Sequence, residues 1–139
     1  SEQARARRNS SSLALVHIDV DDFKRLNDSF GHQAGDQALV HLVSLLQKSM
    51  RPSDVLARFG GEEFVLLLPD TGLEAAVEAV GRFLSEVSGQ AVPGSGCVMS
   101  FSAGVVTQSS DESLDAALQR ADAATYAAKR AGKKRIVTG

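Results

Sequence analysis

Cysteine is almost missing from this 139-residue chain: Cys97 stands alone. An internal disulfide is therefore excluded. Set in an apolar, strand-like stretch, Cys97 reads as a small buried hydrophobe of a reducing compartment. Charge of one sign is missing too. The 15 basic and 17 acidic residues leave a net charge of −2, which does not suggest general nucleic-acid binding. Arg5, Arg7 and Arg8 read as the solvated end of a helix and not as a binding patch. Long apolar runs are also wanting. None reaches the roughly 18 residues of a membrane span, and no signal peptide is read. The expectation is a cytoplasmic domain without membrane contact. There is no internal repeat, and the only low-complexity patch is Asn9-Ser10-Ser11-Ser12, a loop before the first strand. What is present, 43% hydrophobic and 23% charged residues, suffices for one core. Residues 1–139 therefore read as a single domain.

Leu13 to Ile18 reads as a largely buried strand, followed by the acidic loop Asp19-Val20-Asp21-Asp22-Phe23-Lys24. Asp36 to Met50 reads as a helix, with Leu39, Leu42, Val43, Leu46 and Met50 at helical spacing and Pro52 to end it. Val55 to Phe59 and Phe64 to Leu68 flank a tight turn, the pattern of a β-hairpin. Thr71-Gly72-Leu73-Glu74 has the form of a capping box. The inner face of the helix it opens would be Leu73, Ala76, Val77, Val80, Leu84 and Val87. A loop from Gly89 to Gly96 leads to a strand over Cys97 to Val106. Leu114 to Ala131 is an Ala-rich helix closed by Gly132, and Ile136-Val137 is a short terminal strand. This mixture predicts an α+β fold with helices packed around a mainly antiparallel central sheet.

The hairpin turn carries the chemistry. Arg58-Phe59-Gly60-Gly61-Glu62-Glu63-Phe64 places two glycines and two carboxylates between apolar strands. Glycines permit positive φ and the close approach of a large ligand. Two adjacent carboxylates repel, so a divalent metal is the natural compensation. Asp19 and Asp21 would project to one face of the first strand, because strand side chains alternate. A carboxylate at the end of that strand, beside an acidic hairpin, suits Mg²⁺, which prefers one or two protein carboxylates plus phosphate oxygens. Phosphoryl or nucleotidyl transfer is the expected chemistry. A solvated strand-end carboxylate and an exposed hairpin tip are the competing readings.

The hairpin resembles the signature of the GGDEF-domain diguanylate cyclases, in the Glu variant GGEEF. Other segments strengthen the likeness. Ile18 to Asp28 resembles that family's metal and nucleotide segment, and Gly31-His32-Gln33-Ala34-Gly35-Asp36 its GHxxGD. Ser102-Ala103-Gly104-Val105 resembles a late core strand. Arg120-Ala121-Asp122 with Tyr126-Ala127-Ala128-Lys129 resembles the last helix. The motifs run in family order from about Leu13 to Val137, which is far more specific than one five-letter match.

The resemblance implies a fold akin to nucleotide cyclase and polymerase palm domains. It also implies a reaction: two GTP condense into cyclic di-GMP with release of two pyrophosphates. Mg²⁺, with Mn²⁺ as a second candidate, would be bound by the Asp19 side chain, the Val20 carbonyl and Glu62. Glu62 would also help deprotonate the attacking 3′-hydroxyl, although a metal-bound alkoxide needs no dedicated base. Glu63 would support the site. Lys24 would stabilise phosphate charge, and the Phe23 and Lys24 N–H groups would cradle phosphates. Asn27 and Asp36 would read guanine, Asp36 by accepting from N1–H and the 2-amino group. That disfavours an ATP-using cyclase. His32 is a further substrate contact in the same loop. Lys129 and Lys133 would face the terminal phosphates, with Lys133 replacing the usual Arg of a Gly-Arg-Asn segment and losing its fork. Arg51-Pro52-Ser53-Asp54 resembles an RxxD product-inhibition site for cyclic di-GMP.

Plainer readings stand beside these. Asp36 could cap the following helix. His32 could be a structural loop residue, and His17 and His41 read as structural. Lys129 and Lys133 could be a solvated helix end. Arg51 and Asp54 could be a surface pair of little weight. The helix that precedes the first strand in the family is missing or incomplete, with Ser1 to Arg8 as its end. The resemblance therefore implies an excised domain, an upstream sensor or receiver, and a homodimer in which two GTP-loaded sites face each other. A non-catalytic GTP or cyclic di-GMP receptor is the competing class.

Overall fold

The computed structural model of the protein describes residues 12–139. The expected helix end at Ser1 to Arg8, and Asn9 to Ser11 of the loop, lie outside the described residues. The elements are β1 (Leu13–Val20), α1 (Phe23–Phe30), α2 (His32–Ser49), β2 (Val55–Arg58), β3 (Glu63–Pro69), α3 (Leu73–Ser88), β4 (Phe101–Thr107), α4 (Leu114–Ala131) and β5 (Ile136–Thr138). The five strands form one sheet in the order β2-β3-β1-β4-β5. β1 is central and antiparallel to β3 and β4; β2 pairs antiparallel with β3, and β5 lies parallel to β4. The expected α+β architecture is what is seen, with a sheet that is mixed at one edge. Among the described residues no helix is long and apolar enough to cross a membrane.

β1 is buried on both faces because both faces are covered. Ala14, Val16, Ile18 and Val20 join the main core with α2, α3, Phe64, Leu66, Phe101 and Val105. Leu15 points the other way, into a smaller cluster with Val106, Ala117 and Ala121 under α4. Strand alternation then assigns His17, Asp19, Glu63, Ser102 and Gly104 to the α4 face. The chemistry thus sits at one end of the sheet, between the hairpin and α4.

Four local readings are corrected. The acidic loop is shorter than expected, because Phe23–Phe30 is helical. Phe23, Leu26 and Phe30 stand at helical spacing, but the run is only eight residues long and Leu26 alone is buried. α2 begins at His32, four residues before Asp36, across a Gly31 hinge with φ 93°. Asp36 therefore lies inside the helix and does not cap it. Thr71 forms no capping box. Gly72 is the cap residue, without a side-chain bond, while the Thr71 hydroxyl donates to Pro69 O at 2.8 Å. Along α3 the buried residues are Ala76, Val80, Phe83 and Val87, and Leu73 is exposed. β4 starts at Phe101 and not at Cys97. Cys97 and Met99 are buried, but their segment makes only an isolated bridge, Val98 to Ala91.

One ion pair ties the α4 entrance to the sheet. Arg120 donates Nε and Nη2 to Glu112 at 2.7 Å each, and Nη2 also donates to Thr107 O at 2.7 Å. The Arg120 hydrogen bond, with one from the Ser109 N–H, holds the Glu112 carboxyl at about 2 rather than 4.5. A depressed carboxyl stabilises the fold above its unfolded pKa, and that stability is lost as pH falls through the folded value. Acid unfolding of the protein is therefore expected to include a component between about pH 4.5 and 2 that Glu112→Gln removes. Urea titrations at stepped pH would show it as a slope difference between the two proteins.

Candidate functional site

The end of β1 is built around one ammonium group. Lys129, on α4, reaches across the sheet to Asp19 Oδ1 and Asp21 Oδ1, both at 2.9 Å. It also donates to the carbonyls of Asp19 and Val20 at 3.1 Å each. Asp21 is buried and accepts from Ser100 Oγ at 2.7 Å, Ser102 Oγ at 2.6 Å and the Lys134 N–H at 2.9 Å. Burial alone would push the Asp21 carboxyl up. The bonds from Ser102, Lys129 and Ser100, with the Lys129 charge, outweigh it and hold the group below its usual value. Burial likewise pulls Lys129 down, and its bonds to Asp21 and Asp19 raise it above the usual lysine value. A cation is thus favoured where the Asp19 carboxylate and the Val20 carbonyl converge. Both are hard oxygen donors of the kind Mg²⁺ selects, so the residues present fit such an ion. Asp21 and Ser102 have no assigned role from sequence; the i, i+2 spacing of Asp19 and Asp21 is the one signal that could have found Asp21.

The hairpin turn is pinned to the same strand end. The Val20 N–H donates to Glu62 O at 3.1 Å, which extends the Asp19–Glu63 register by one residue. Arg58 braces the turn from outside, with Nε to Gly60 O at 3.1 Å and Nη2 to Gly61 O at 2.7 Å. Neither Gly60 nor Gly61 has a positive φ, which corrects one expected use of glycine. A Cβ on Gly60 would lie 2.8 Å from Glu63 Oε2, whereas one on Gly61 would meet nothing within 4 Å. Gly61 therefore leaves open space at the turn. The Glu62 side chain is half-buried. Glu63 is engaged: its Oε1 lies 3.0 Å from His17 Nε2.

The nucleotide candidates lie on α1 and α2. Gly35 lacks a side chain where Asn27 Oδ1 sits; an added Cβ would also be 2.8 Å from Asn27 Cγ and 3.3 Å from Phe23 Cζ. Asn27 Oδ1 is buried without a hydrogen-bond partner, an orphan that a ligand donor would satisfy. His32 and Asp36 are exposed one helical turn apart on α2, hence on one face. Lys24 is exposed on the first turn of α1, beside the half-buried Phe23. The first-turn N–H groups there have no intrahelical partner. Because the obstruction at Gly35 is mainly a side chain, Gly35→Ala is expected to fold. It should displace Asn27, and, if Asn27 makes the expected nucleotide contact, weaken GTP binding about tenfold or more, as for one lost hydrogen bond to a buried group. Calorimetric titration would measure this.

Lys133 Nζ pairs with Asp22 Oδ1 at 2.6 Å. Lys133 and Lys134 have φ of 65° and 50°, a left-handed run that Asn tolerates better than Lys. Arg51 and Asp54 lie elsewhere. Arg51 donates Nη2 and Nε to Asp54 Oδ1 at 2.9 and 3.2 Å, and Nη2 to Pro69 O and Thr71 Oγ1 at 2.8 and 2.7 Å. Pro69 ends β3 and Glu63 begins it, about 20 Å apart at strand rise. The pair is more than a surface contact, since the Asp54 side chain is 5% exposed. His41 is buried as a structural residue would be, with Nε2 unpartnered.

The family described as "Diguanylate cyclase, GGDEF domain" matches residues 1–135. Diguanylate cyclase DgcP of Pseudomonas aeruginosa is 43% identical over 139 residues, covering 97% of this chain and 20% of that protein. The chain thus spans about a fifth of that relative's length. The active GGEEF domain of a diguanylate cyclase from Vibrio cholerae superposes with a TM-score of 0.87 at 32% identity, over 98% of this chain and 88% of that one. The GGDEF domain of DgcB from Caulobacter crescentus, solved in complex with c-di-GMP, gives a TM-score of 0.87 at 30% identity, over 98% and 80% of the two chains.

Proposed function

The chain belongs to the GGDEF-domain diguanylate cyclases, and from that premise we propose that it condenses two GTP into cyclic di-GMP and two pyrophosphates. The observation that carries this reading is the convergence of the Asp19 carboxylate and the Val20 carbonyl on one cation locus, held by Lys129, beside the Glu62 turn. Asp19, the Val20 carbonyl and Glu62 would hold Mg²⁺, or Mn²⁺ in its place. The ion, when bound, supplies positive charge to the reacting phosphate oxygens.

The protein's own groups do the rest. Asn27 and Asp36 select guanine; Asp36 accepts from two donors that adenine lacks. Lys24, Lys133 and the α1 N-terminus hold the phosphates, and His32 is a further contact beside Asp36. The Lys133–Asp22 pair is exposed, so it is replaceable by a phosphate contact. Glu62 takes the proton from the attacking 3′-hydroxyl, and Glu63 supports the turn. The 3′-oxygen forms a bond to the α-phosphorus of the second GTP, the bond to the β-phosphate bridge breaks, and pyrophosphate leaves. A reciprocal attack, by the 3′-oxygen of the second GTP on the α-phosphorus of the first with loss of the second pyrophosphate, closes the ring, so two protomers must face each other. Arg51 and Asp54, remote from this cluster, form a feedback site for cyclic di-GMP. An upstream sensor or receiver domain would set dimerisation, in the cytoplasm.

The test is GTP conversion in Mg²⁺ by the chain fused to a constitutive dimeriser, with ATP as comparator and products separated chromatographically. Cyclic di-GMP from GTP and no cyclic product from ATP are expected. GTP bound but not converted would overturn the enzyme reading in favour of a receptor.

A further inference from the structure

Behind the signature turn, on the α4 face of the sheet, lies a second group of ligand-type side chains, of which the cyclase reading uses Glu63 alone and only to support the turn. His17 on β1, Glu63 on β3 and Asp122 on α4 bring one donor atom each within 4.8 Å of one another. The imidazole Nε2 is 3.0 Å from Glu63 Oε1 and 3.6 Å from Asp122 Oδ1. The His17 side chain is 7% exposed and the two carboxylates are 43% and 68% exposed, so the ring is fixed and its partners reach in from the rim.

Hydrogen bonding on the far side of the ring suits one tautomer. Thr125 Oγ1 lies 2.8 Å from His17 Nδ1. The same hydroxyl is 3.0 Å from His17 O and 3.1 Å from Ala121 O. With the single Thr125 proton given to one of these carbonyls, which only accept, Oγ1 accepts from Nδ1–H. In the neutral ring Nε2 then presents a lone pair to two carboxylates. In that tautomer three electron-rich atoms converge, an arrangement that a cation placed among them makes favourable.

We propose that His17, Glu63 and Asp122 form a binding site for a zinc-class divalent transition metal, separate from the Mg²⁺ locus at Asp19. Imidazole with two carboxylates is a borderline donor set suited to Zn²⁺ and poorly suited to Mg²⁺. Bonds of about 2.0–2.2 Å in tetrahedral geometry put donor atoms about 3.3–3.6 Å apart, near the 3.0 and 3.6 Å that separate Nε2 from the two carboxylate oxygens. The Thr125 hydroxyl accepting from Nδ1–H is the kind of outer contact that orients a ligating histidine. The donors border a surface pocket of about 280 Å³, also lined by Phe59, Asp115 and Gln119. That pocket provides an entry path and room for a fourth ligand. Occupancy would join β1, β3 and α4, and it would clamp the carboxylate that directly follows Glu62.

The probe is Zn²⁺ alone, titrated into the untagged chain against a chromophoric chelator, with Mg²⁺ in millimolar excess. One saturable Zn²⁺ per chain is expected, unmoved by Mg²⁺, with a rise in Tm on binding. Asp122→Asn, an exposed change, is expected to keep the fold and weaken Zn²⁺ at least tenfold. His17→Gln should abolish binding, and Asp19→Asn should leave it intact. Cobalt substitution should give the visible absorption of a four-coordinate N/O site. No saturable uptake would overturn the proposal. Uptake lost in Asp19→Asn but kept in Asp122→Asn would overturn it in favour of adventitious filling of the Mg²⁺ locus. Neither result touches the GTP reading, which the conversion assay judges separately.

Discussion

Gly104→Ala is expected to destabilise the domain by about 3 kcal/mol or more, at or beyond the upper end of ordinary overpacking. Gly104 lies in β4, paired with His17 on β1 and Val137 on β5, and α4 crosses directly over it. A Cβ there would lie 2.6 Å from Thr125 N and 2.7 Å from Ala124 Cβ, and nearer still to the carbonyl oxygen of Ala121. Two of those three atoms are helix backbone, so no rotamer change relieves the clash. α4 would have to lift off the sheet as a body. Lifting it would break the Thr125 bond to His17 O and pull Lys129 away from Asp19 and Asp21. Stability and site geometry should therefore fail together. Urea unfolding, with GTP titration on whatever remains folded, measures both; a loss under about 1 kcal/mol would mean that the helix–sheet spacing is adjustable.

The same glycine shows what the sequence discloses and what it conceals. β1, the hairpin, α4 and β5 are legible because each has a local signature: a continuous apolar run, a glycine turn between apolar segments, an Ala-rich period ending in glycine. α1 is hidden because it is eight residues long and buries one side chain; Phe23, Leu26 and Phe30 stand at helical spacing, but over barely two turns. Thr71 misleads because its hydroxyl serves Pro69 O and receives Arg51 at 2.7 Å; tertiary partners outbid the local cap. In the site, Asp19, Val20 and Glu62 are legible through the resemblance, and the structure places their backbones together. The contacts that organise them are long-range. Lys129 meets Asp21 across 108 positions, and Ser102 meets Asp21 across 81. No spacing rule reaches that far. The His17 cluster is invisible for the same reason, since its members lie on β1, β3 and α4.

Glu62→Ala and Lys129→Met are expected to fail in opposite ways, and the contrast tests the proposed division of labour. Glu62 offers a half-buried carboxylate that, among the described residues, makes no hydrogen bond or ion pair. Its removal takes nothing from the folded state, so stability should stay within about 0.5 kcal/mol. Turnover of the dimerised chain should fall about 10²–10⁴-fold, the usual range for a lost general base. Lys129 is the reverse. Its side chain is 22% exposed, against 4% for Asp21, and removing one partner of a buried pair costs about 3–5 kcal/mol. Asp21 keeps Ser100, Ser102 and the Lys134 N–H, and Lys129 is partly hydrated. A loss of about 2–3 kcal/mol is therefore the expectation for Lys129→Met. Millimolar Mg²⁺ should restore part of that loss, because a cation bound only by the folded state stabilises it. Mg²⁺ should restore none of the Glu62→Ala turnover. Thermal melts with and without Mg²⁺ separate the two variants. Equal stability loss in both would overturn that division of labour, and a Lys129→Met protein indifferent to Mg²⁺ would show that the Asp19–Val20 locus does not select a divalent ion.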